Sequence, residues 1–307
     1  MRGNCDLRHA FLCAVNPVTE FSPAKLNLFL AVTGQRVDGF HDLVSVAAPL
    51  DFGDELRAVP AQAGFTLACD DPAVPMDDSN LILKAAQAFV AATGWAGGAD
   101  FSLTKRIPVG AGLGGGSSNA VAALRALNRL AGGALAAPQL AEVATALGSD
   151  CPLFLANAPV IMRGRGERLA ALPAAAAARL RGRRVLLFKP SFGISTPWAY
   201  GRMAAGKPAH YRPAAEAEAA LAAWLRGPAP GEALLANNME GVVFAKFIAL
   251  PVLQAKLARE FGVAAHLSGS GSACFALLRD DSATDPLRAA IRAAWGPGCF
   301  VQEARLA

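Results

Sequence analysis

A chain of 307 residues with 53% hydrophobic and 17% charged residues has the composition of a well-buried globular protein of one large or two ordinary domains, which excludes a disordered chain. The net charge of +5 suits anionic ligands such as nucleotides, but the arginines are scattered and no basic stripe alternates with aromatics as a nucleic-acid platform requires. No apolar run approaches the ~18 residues that span a bilayer, and the six dispersed cysteines (Cys5, Cys13, Cys69, Cys151, Cys274, Cys299) contain no CxxC pair, which points to reduced thiols in a cytoplasmic protein.

In residues 1–20 the apolar piece around Phe11–Val15 is too short for a signal segment, and Asp6 and Glu20 make a poor transit peptide. A disordered extension, or a start codon placed too far upstream, is therefore expected. Strands are expected at Lys25–Thr33, Leu43–Leu50, Asp54–Val59 and Phe65–Cys69. The oxygens of Asp77–Ser79 can cap a helix over Leu81–Thr93, which Gly94 stops. A strand over Phe101–Ile107 then leads into a glycine loop, followed by helices at Asn119–Leu130 and Pro138–Leu147 and a short strand at Val160–Met162. This first unit covers residues 21–167 and a second covers 168–307. The second contains strands at Val185–Phe188, Val263–Leu267, Ser272–Leu278 and Gly298–Ala304, with helices at Thr196–Met203, Ala214–Leu225, Pro251–Phe261 and Pro286–Trp295. Strands and helices segregated in this way indicate an α+β class.

The glycine loop reads Pro108-Val109-Gly110-Ala111-Gly112-Leu113-Gly114-Gly115-Gly116-Ser117-Ser118, with five glycines in seven residues from Gly110 to Gly116. Glycine admits positive φ and close approach of a phosphate to the backbone, and the helix that follows adds unsatisfied N–H groups and a positive dipole end. Gly110, Gly112 and Gly115 satisfy the dinucleotide pattern G-x-G-x-x-G, yet a second helix follows where that motif needs a strand. A P-loop is excluded because no lysine precedes Ser117. The loop therefore suits a polyphosphate but carries no charge of its own, and a kinase using it must draw a cation and a base from elsewhere.

Three separated motifs resemble the GHMP kinase family: Pro23-Ala-Lys-Leu-Asn27, Pro108–Ser118 and Leu267-Ser-Gly-Ser-Gly-Ser-Ala-Cys-Phe275. Further likeness in Thr33–His41, Leu50–Glu55, Leu147–Phe154 and Gly164-Arg-Gly-Glu167 narrows the match to members acting on a cytidine diphosphate-linked polyol in a route to isoprenoid precursors. The resemblance implies a two-domain GHMP kinase fold (an N-terminal ribosomal protein S5 domain 2-like unit and a C-terminal ferredoxin-like unit) with the active site in the cleft between them. It implies ATP as co-substrate on Pro108–Ser118, Asp150 as the base and Lys25 as the stabilising cation. It also implies that Asn27 orients the acceptor or a phosphate, that Phe40, His41 and Tyr200 hold the cytosine, and that Gly269, Ser270, Gly271 and Ser272 shape the cleft. Phe40 stands where the family usually has tyrosine, so stacking survives and a phenolic hydrogen bond does not. Mg2+ is expected with the nucleotide, and no acidic pair stands out as a protein ligand for it.

The residues admit other readings. Asp150 could be an ordinary turn aspartate, Lys25 a strand-end lysine reaching solvent, Tyr200 a core aromatic and Gly269–Ser272 a tight hairpin. At the level of function the rivals are a family member acting on homoserine or mevalonate, a Rossmann oxidoreductase, and an inactive binding module. The expected partners are the two small molecules, without nucleic acid or membrane, in a monomer or homodimer.

Overall fold

Strand β1 (Val18–Gln35) is 18 residues long and buried without interruption from Ser22 to Val32. It occurs in a computed structural model that describes residues 16–307. Residues 1–15, most of the expected extension, lie outside the described residues, and Val18–Glu20 already belong to β1. The two expected strands that follow are one, β2 (His41–Ala61), antiparallel to β1 along its length. Gly53 makes the join possible: a side-chain carbon there would fall 2.2 Å from Ser22 O.

The β1–β2 register shifts between Pro23 and Lys25 and again between Asn27 and Phe29. These bulges frame Lys25–Asn27 and re-aim side chains. Before the second shift Ala24, Leu26 and Leu28 join a core with Val185, Leu187 and Phe275. After it Phe29 and Ala31 do so, while Leu30 and Val32 turn to the helical layer. Lys25 and Asn27 thus share the face away from the second unit's core, as their two-residue spacing anticipates.

Strand β3 (Phe65–Cys69), helix α1 (Leu81–Thr93) and strand β4 (Gly98–Thr104) come next. The cap of α1 is Asn80, whose Oδ1 accepts from Ile82 N at 2.8 Å, and not Asp77–Ser79. Strand β4 ends three residues before the expected Ile107 because the amides of Arg106 and Ile107 donate to Asp54 Oδ1, both at 2.7 Å, instead of to a neighbouring strand. Helix α2 (Gly115–Leu130) starts four residues earlier than expected and takes Gly115–Ser118 into its first turn. Then come α3 (Ala137–Leu147), an unanticipated α4 (Cys151–Ala156), β5 (Val160–Gly164) and β6 (Arg168–Ala171).

Helix α5 (Ala174–Ala178) leads to β7 (Arg184–Lys189), α6 (Thr196–Ala205), α7 (Ala214–Arg226), a 3-10 turn at Gly231–Leu234, and β8 (Ala236–Asn237). The chain finishes with α8 (Glu240–Phe244), α9 (Ala249–Phe261), β9 (His266–Leu267), β10 (Cys274–Leu278), α10 (Asp285–Trp295) and β11 (Phe300–Arg305). The first sheet runs β3-β4-β2-β1-β8, with β5 beside the start of β2 and β6 beside β5. The second runs β11-β7-β10-β9 and is antiparallel throughout. Both β6 and β8 come from beyond residue 167 yet complete the first sheet. A bridge between Leu50 and Leu306 and the bond from Ala307 N to Pro49 O at 3.0 Å tie the last strand to β2.

Asp54 is fully buried in β2. Besides the amides of 106 and 107, its carboxylate receives Lys105 Nζ at 2.5 Å and Asn119 Nδ2 at 2.8 Å. A buried carboxylate needs such a full set of donors to offset desolvation, and here the donors bracket residues 108–118 at both ends. Asp54→Asn keeps the shape and leaves Lys105 without its counter-ion. We expect it to lower the unfolding free energy by about 3–5 kcal/mol in urea denaturation, whereas an unshifted midpoint would contradict the role given to this carboxylate.

Candidate active site

The glycine loop is held through its carbonyls. Ala111 O accepts from Ala273 N at 3.0 Å, Gly112 O from Ser268 Oγ at 3.2 Å, and Leu113 O from Lys25 N at 2.9 Å. Gly110, Gly112 and Gly114 take φ of 64°, 76° and 72°, the left-handed region where glycine carries no steric penalty. Among the described residues the N–H groups of Gly115, Gly116 and Ser117 have no protein acceptor, the first helical bond running from Ser118 N to Gly114 O at 2.9 Å. Free amides at a helix start make an anion site. Ser118 is not part of it: its hydroxyl is buried and accepts from Ser22 Oγ at 2.8 Å.

Lys25 enters from β1 below the loop. Its Nζ lies 3.4 Å from Asp150 Oδ2 and donates to Asn27 Oδ1 at 2.5 Å. Asn27 in turn donates to Ser45 Oγ at 2.9 Å, and Ser45 to Phe29 O at 2.6 Å, so Asn27 is fixed with its oxygen toward the lysine. Asp150 occupies the N-cap position of α4 without making a capping bond. Its side chain stays 35% exposed against 6% for Lys25, so a carboxylate open to the cleft sits against a buried ammonium. The adjacent Cys151 thiol is pushed up to about 11 by burial and stays protonated.

The second glycine turn closes the site from the other unit. A side-chain carbon at Gly269 would lie 3.3 Å from Asn27 Oδ1 and 3.7 Å from Lys25 Nζ. Ser270 Oγ meets Thr196 Oγ1 at 2.9 Å, at the start of the helix that carries Tyr200. Gly271 and Ser272 stand behind the turn, where Ser272 Oγ donates to Phe192 O at 2.6 Å. Asn237 on β8 supports it from beneath, donating to Leu267 O at 2.9 Å and Gly269 O at 2.8 Å.

Phe40, His41 and Tyr200 line the same cleft. The rings of His41 and Tyr200 have centroids 4.9 Å apart, and Tyr211 approaches the same histidine at 5.9 Å. Phe40 is 51% exposed at the rim. His41 Nε2 is buried with no hydrogen-bond partner, and burial lowers the imidazole below its ordinary 6.5. Burial, with the Asp150 carboxylate nearby, pushes the Tyr200 phenol up to about 12, so both groups are neutral at pH 7.

One cleft of about 960 Å3 is lined by Lys25, Asn27, Asp150, Pro108–Ser117, Gly269 and the three aromatic-slot residues. Its wall also contains residues that sequence reasoning passed over: Lys105, Asn80, Leu81, Val74, Thr196 and Arg165. The Leu50–Glu55 and Gly164–Glu167 motifs were visible in the chain, yet nothing local distinguished Asp54 or Arg165 within them. Among the described residues no three metal-binding side chains gather, and no helix is long and apolar enough to cross a membrane.

Two family models match the chain, GHMP kinases N terminal domain over residues 80–163 and GHMP kinases C terminal over residues 216–297. A curated relative, 4-diphosphocytidyl-2-C-methyl-D-erythritol kinase of Methylacidiphilum infernorum, is 36% identical over 294 residues, covering 94% of this chain and 96% of its own. A solved 4-(cytidine 5'-diphospho)-2C-methyl-D-erythritol kinase superposes with a TM-score of 0.73 at 34% identity, over 94% of this chain and 100% of that one. The homoserine kinase of Cytophaga hutchinsonii also superposes at 0.73, over 96% of each chain, but at 18% identity it shares the fold alone.

The geometry makes two predictions. Gly110→Ala and Gly112→Ala each put a side chain at positive φ, at a cost of about 1–2 kcal/mol. At 110 nothing lies within 4 Å, while at 112 the new carbon would sit 2.4 Å from Ser268 O. Gly112→Ala should therefore lose clearly more thermal stability and raise the KM for ATP further; equal effects would contradict the clamp by residues 268–273. For His41, whose folded pKa lies below 6.5, the unfolded chain binds the extra proton as pH falls. Stability should decline from about pH 6.5 downward until the folded ring itself titrates, and His41→Gln should remove that part of the slope in urea midpoints.

Proposed function

The chain belongs to the GHMP kinase family and is an ATP-using small-molecule kinase of that family's two-domain α+β fold, and we propose that it phosphorylates the 2-hydroxyl of 4-diphosphocytidyl-2-C-methyl-D-erythritol in the non-mevalonate route to isoprenoid precursors. The observation that carries the reading is the position of the Lys25–Asp150 pair, 3.4 Å apart, in one cleft with a phosphate-binding loop and an aromatic slot.

In this reading the ATP phosphates lie on residues 108–117, where free amides and the helix dipole stabilise negative charge. The acceptor's cytosine enters the slot of Phe40, His41 and Tyr200. Stacking on an aromatic is worth about 1–3 kcal/mol per base, and the unpartnered His41 Nε2 is available to a polar edge of the ring. The polyol then reaches Asp150, which takes the proton of the acceptor hydroxyl as it attacks the γ-phosphorus in line. The bond from γ-phosphorus to the bridging oxygen breaks, and ADP and a phosphomonoester leave. Lys25 faces the Asp150 carboxylate and offsets charge building on the transferring group, with Asn27 holding its ammonium in place. Magnesium accompanying the nucleotide screens phosphate charge. Among the described residues no cluster of acidic side chains gathers, so phosphate oxygens and water would supply most of its ligands.

An aliphatic acceptor such as homoserine or mevalonate has no use for an aromatic slot, which disfavours those substrates. Asp150→Asn should reduce turnover by about 10²–10⁴-fold in an ADP-release assay while ATP binding persists; undiminished turnover would remove the assigned base. Tyr200→Ala should raise the KM for the cytidine-linked acceptor by about 10- to 100-fold, from the lost stack, with the KM for ATP unchanged.

A further inference from the structure

The motif Gly164-Arg-Gly-Glu167 is absorbed by none of the roles above, yet it forms a turn built to present one side chain. Gly164 and Gly166 flank Arg165 with φ of 68° and 112°. Glu167 Oε2 accepts from Arg165 N at 2.6 Å, and the same carboxylate fills the space where a side chain at Gly164 would stand, 2.5 Å from its Oε1. The backbone is thereby locked and the guanidinium projects into the cleft.

Three basic side chains line the cleft among the described residues. Lys25 is matched by Asp150 and Lys105 by Asp54. Arg165 has neither an ion pair nor a side-chain hydrogen bond there; its guanidinium lies over the Phe40 ring, 4.6 Å from the centroid. Asp38 on the facing loop feels the Arg165 charge, but its carboxylate is engaged by Arg36 at 3.1 Å. The turn also touches the loop that carries the base, since a side-chain carbon at Gly166 would lie 3.6 Å from Ser149 O. Arg165 thus lies over Phe40 at the rim of the aromatic slot, in a turn that borders the residue preceding Asp150, while Lys105 adjoins Gly115.

We propose that Arg165 is a specificity-determining residue that binds the diphosphate of the acceptor while its planar face holds Phe40 as the outer wall of the slot. This inference rests on the cytidine-linked substrate proposed above. A ligand with its base in the slot and its alcohol at Asp150 must carry its diphosphate across the gap that Arg165 spans. A guanidinium suits both tasks, because it stacks on aromatics and offers paired donors to phosphate oxygens. The glycine loop cannot serve both ligands, since its amides face the donor's phosphates.

The test is calorimetric binding of cytidine and of cytidine 5'-diphosphate to the whole protein, as wild type, Arg165→Met and Arg165→Lys, with KM for ATP measured alongside. Wild type should bind the diphosphate more tightly than the nucleoside. Arg165→Met should weaken the diphosphate by about 10- to 100-fold, the scale of a charged hydrogen-bond pair, and the nucleoside much less. Arg165→Lys should fall between, and the KM for ATP should not move. An equal loss for both ligands would reduce Arg165 to a support for Phe40, and a rise in the KM for ATP would assign it to the donor; either overturns the inference while leaving the substrate reading intact. If wild type bound neither ligand, the substrate reading would fall and take the inference with it.

Discussion

Three consecutive peptide carbonyls, those of Ala111, Gly112 and Leu113, are each bound by a different neighbour: Ala273, Ser268 and Lys25. A loop that offers its amides to phosphate must satisfy its carbonyls elsewhere, because buried backbone groups left unpaired are costly. Here the partners come from β1 and from the turn between β9 and β10, so the loop holds its shape only when the two units are in place. The close approach at Gly112, where any side chain would meet backbone, follows from the same requirement.

The charges obey a related logic. Asp54 binds the loop's flanks through Lys105, Asn119 and two amides and is sealed from solvent, so it acts as structure. Asp150 is also paired to a lysine but remains partly open to the cleft, so its carboxylate can meet a substrate. Both lysines are equally buried, so exposure of the carboxylate alone separates the pair proposed for the chemistry from the structural one. The bulges framing Lys25–Asn27 give the lysine its aim, and the aromatic slot opens into the same cleft.

Much of this was legible in the chain. Helix α1 shows its apolar period and stop signal, the glycine run announces its backbone needs, and Lys25 and Asn27 share a face because strands alternate. What was hidden depends on partners far along the sequence. Asp54 takes its meaning from residues 51 to 65 positions away, and Asn237 from a turn 30 residues on, while sitting in a two-residue strand that no periodicity reveals. The early start of α2 was masked by glycine and serine, which weaken a helix signal but suit an open, phosphate-facing first turn. Helix α4 was hidden by Asp-Cys-Pro, which reads as a turn although proline is well tolerated in a first helical turn. The second glycine turn was visible as a motif, but its ties to Thr196 and Asn27 were not.

The account joins three things in one cleft: a loop for the donor's phosphates, a lysine–carboxylate pair for the transfer, and a slot for a pyrimidine. The slot separates this reading from its relatives by fold, so the decisive measurement is ADP release with a panel of acceptors under the same conditions. 4-Diphosphocytidyl-2-C-methyl-D-erythritol should support turnover, and homoserine and mevalonate should give only the background rate. Turnover with either aliphatic acceptor, and none with the cytidine-linked one, would contradict the account.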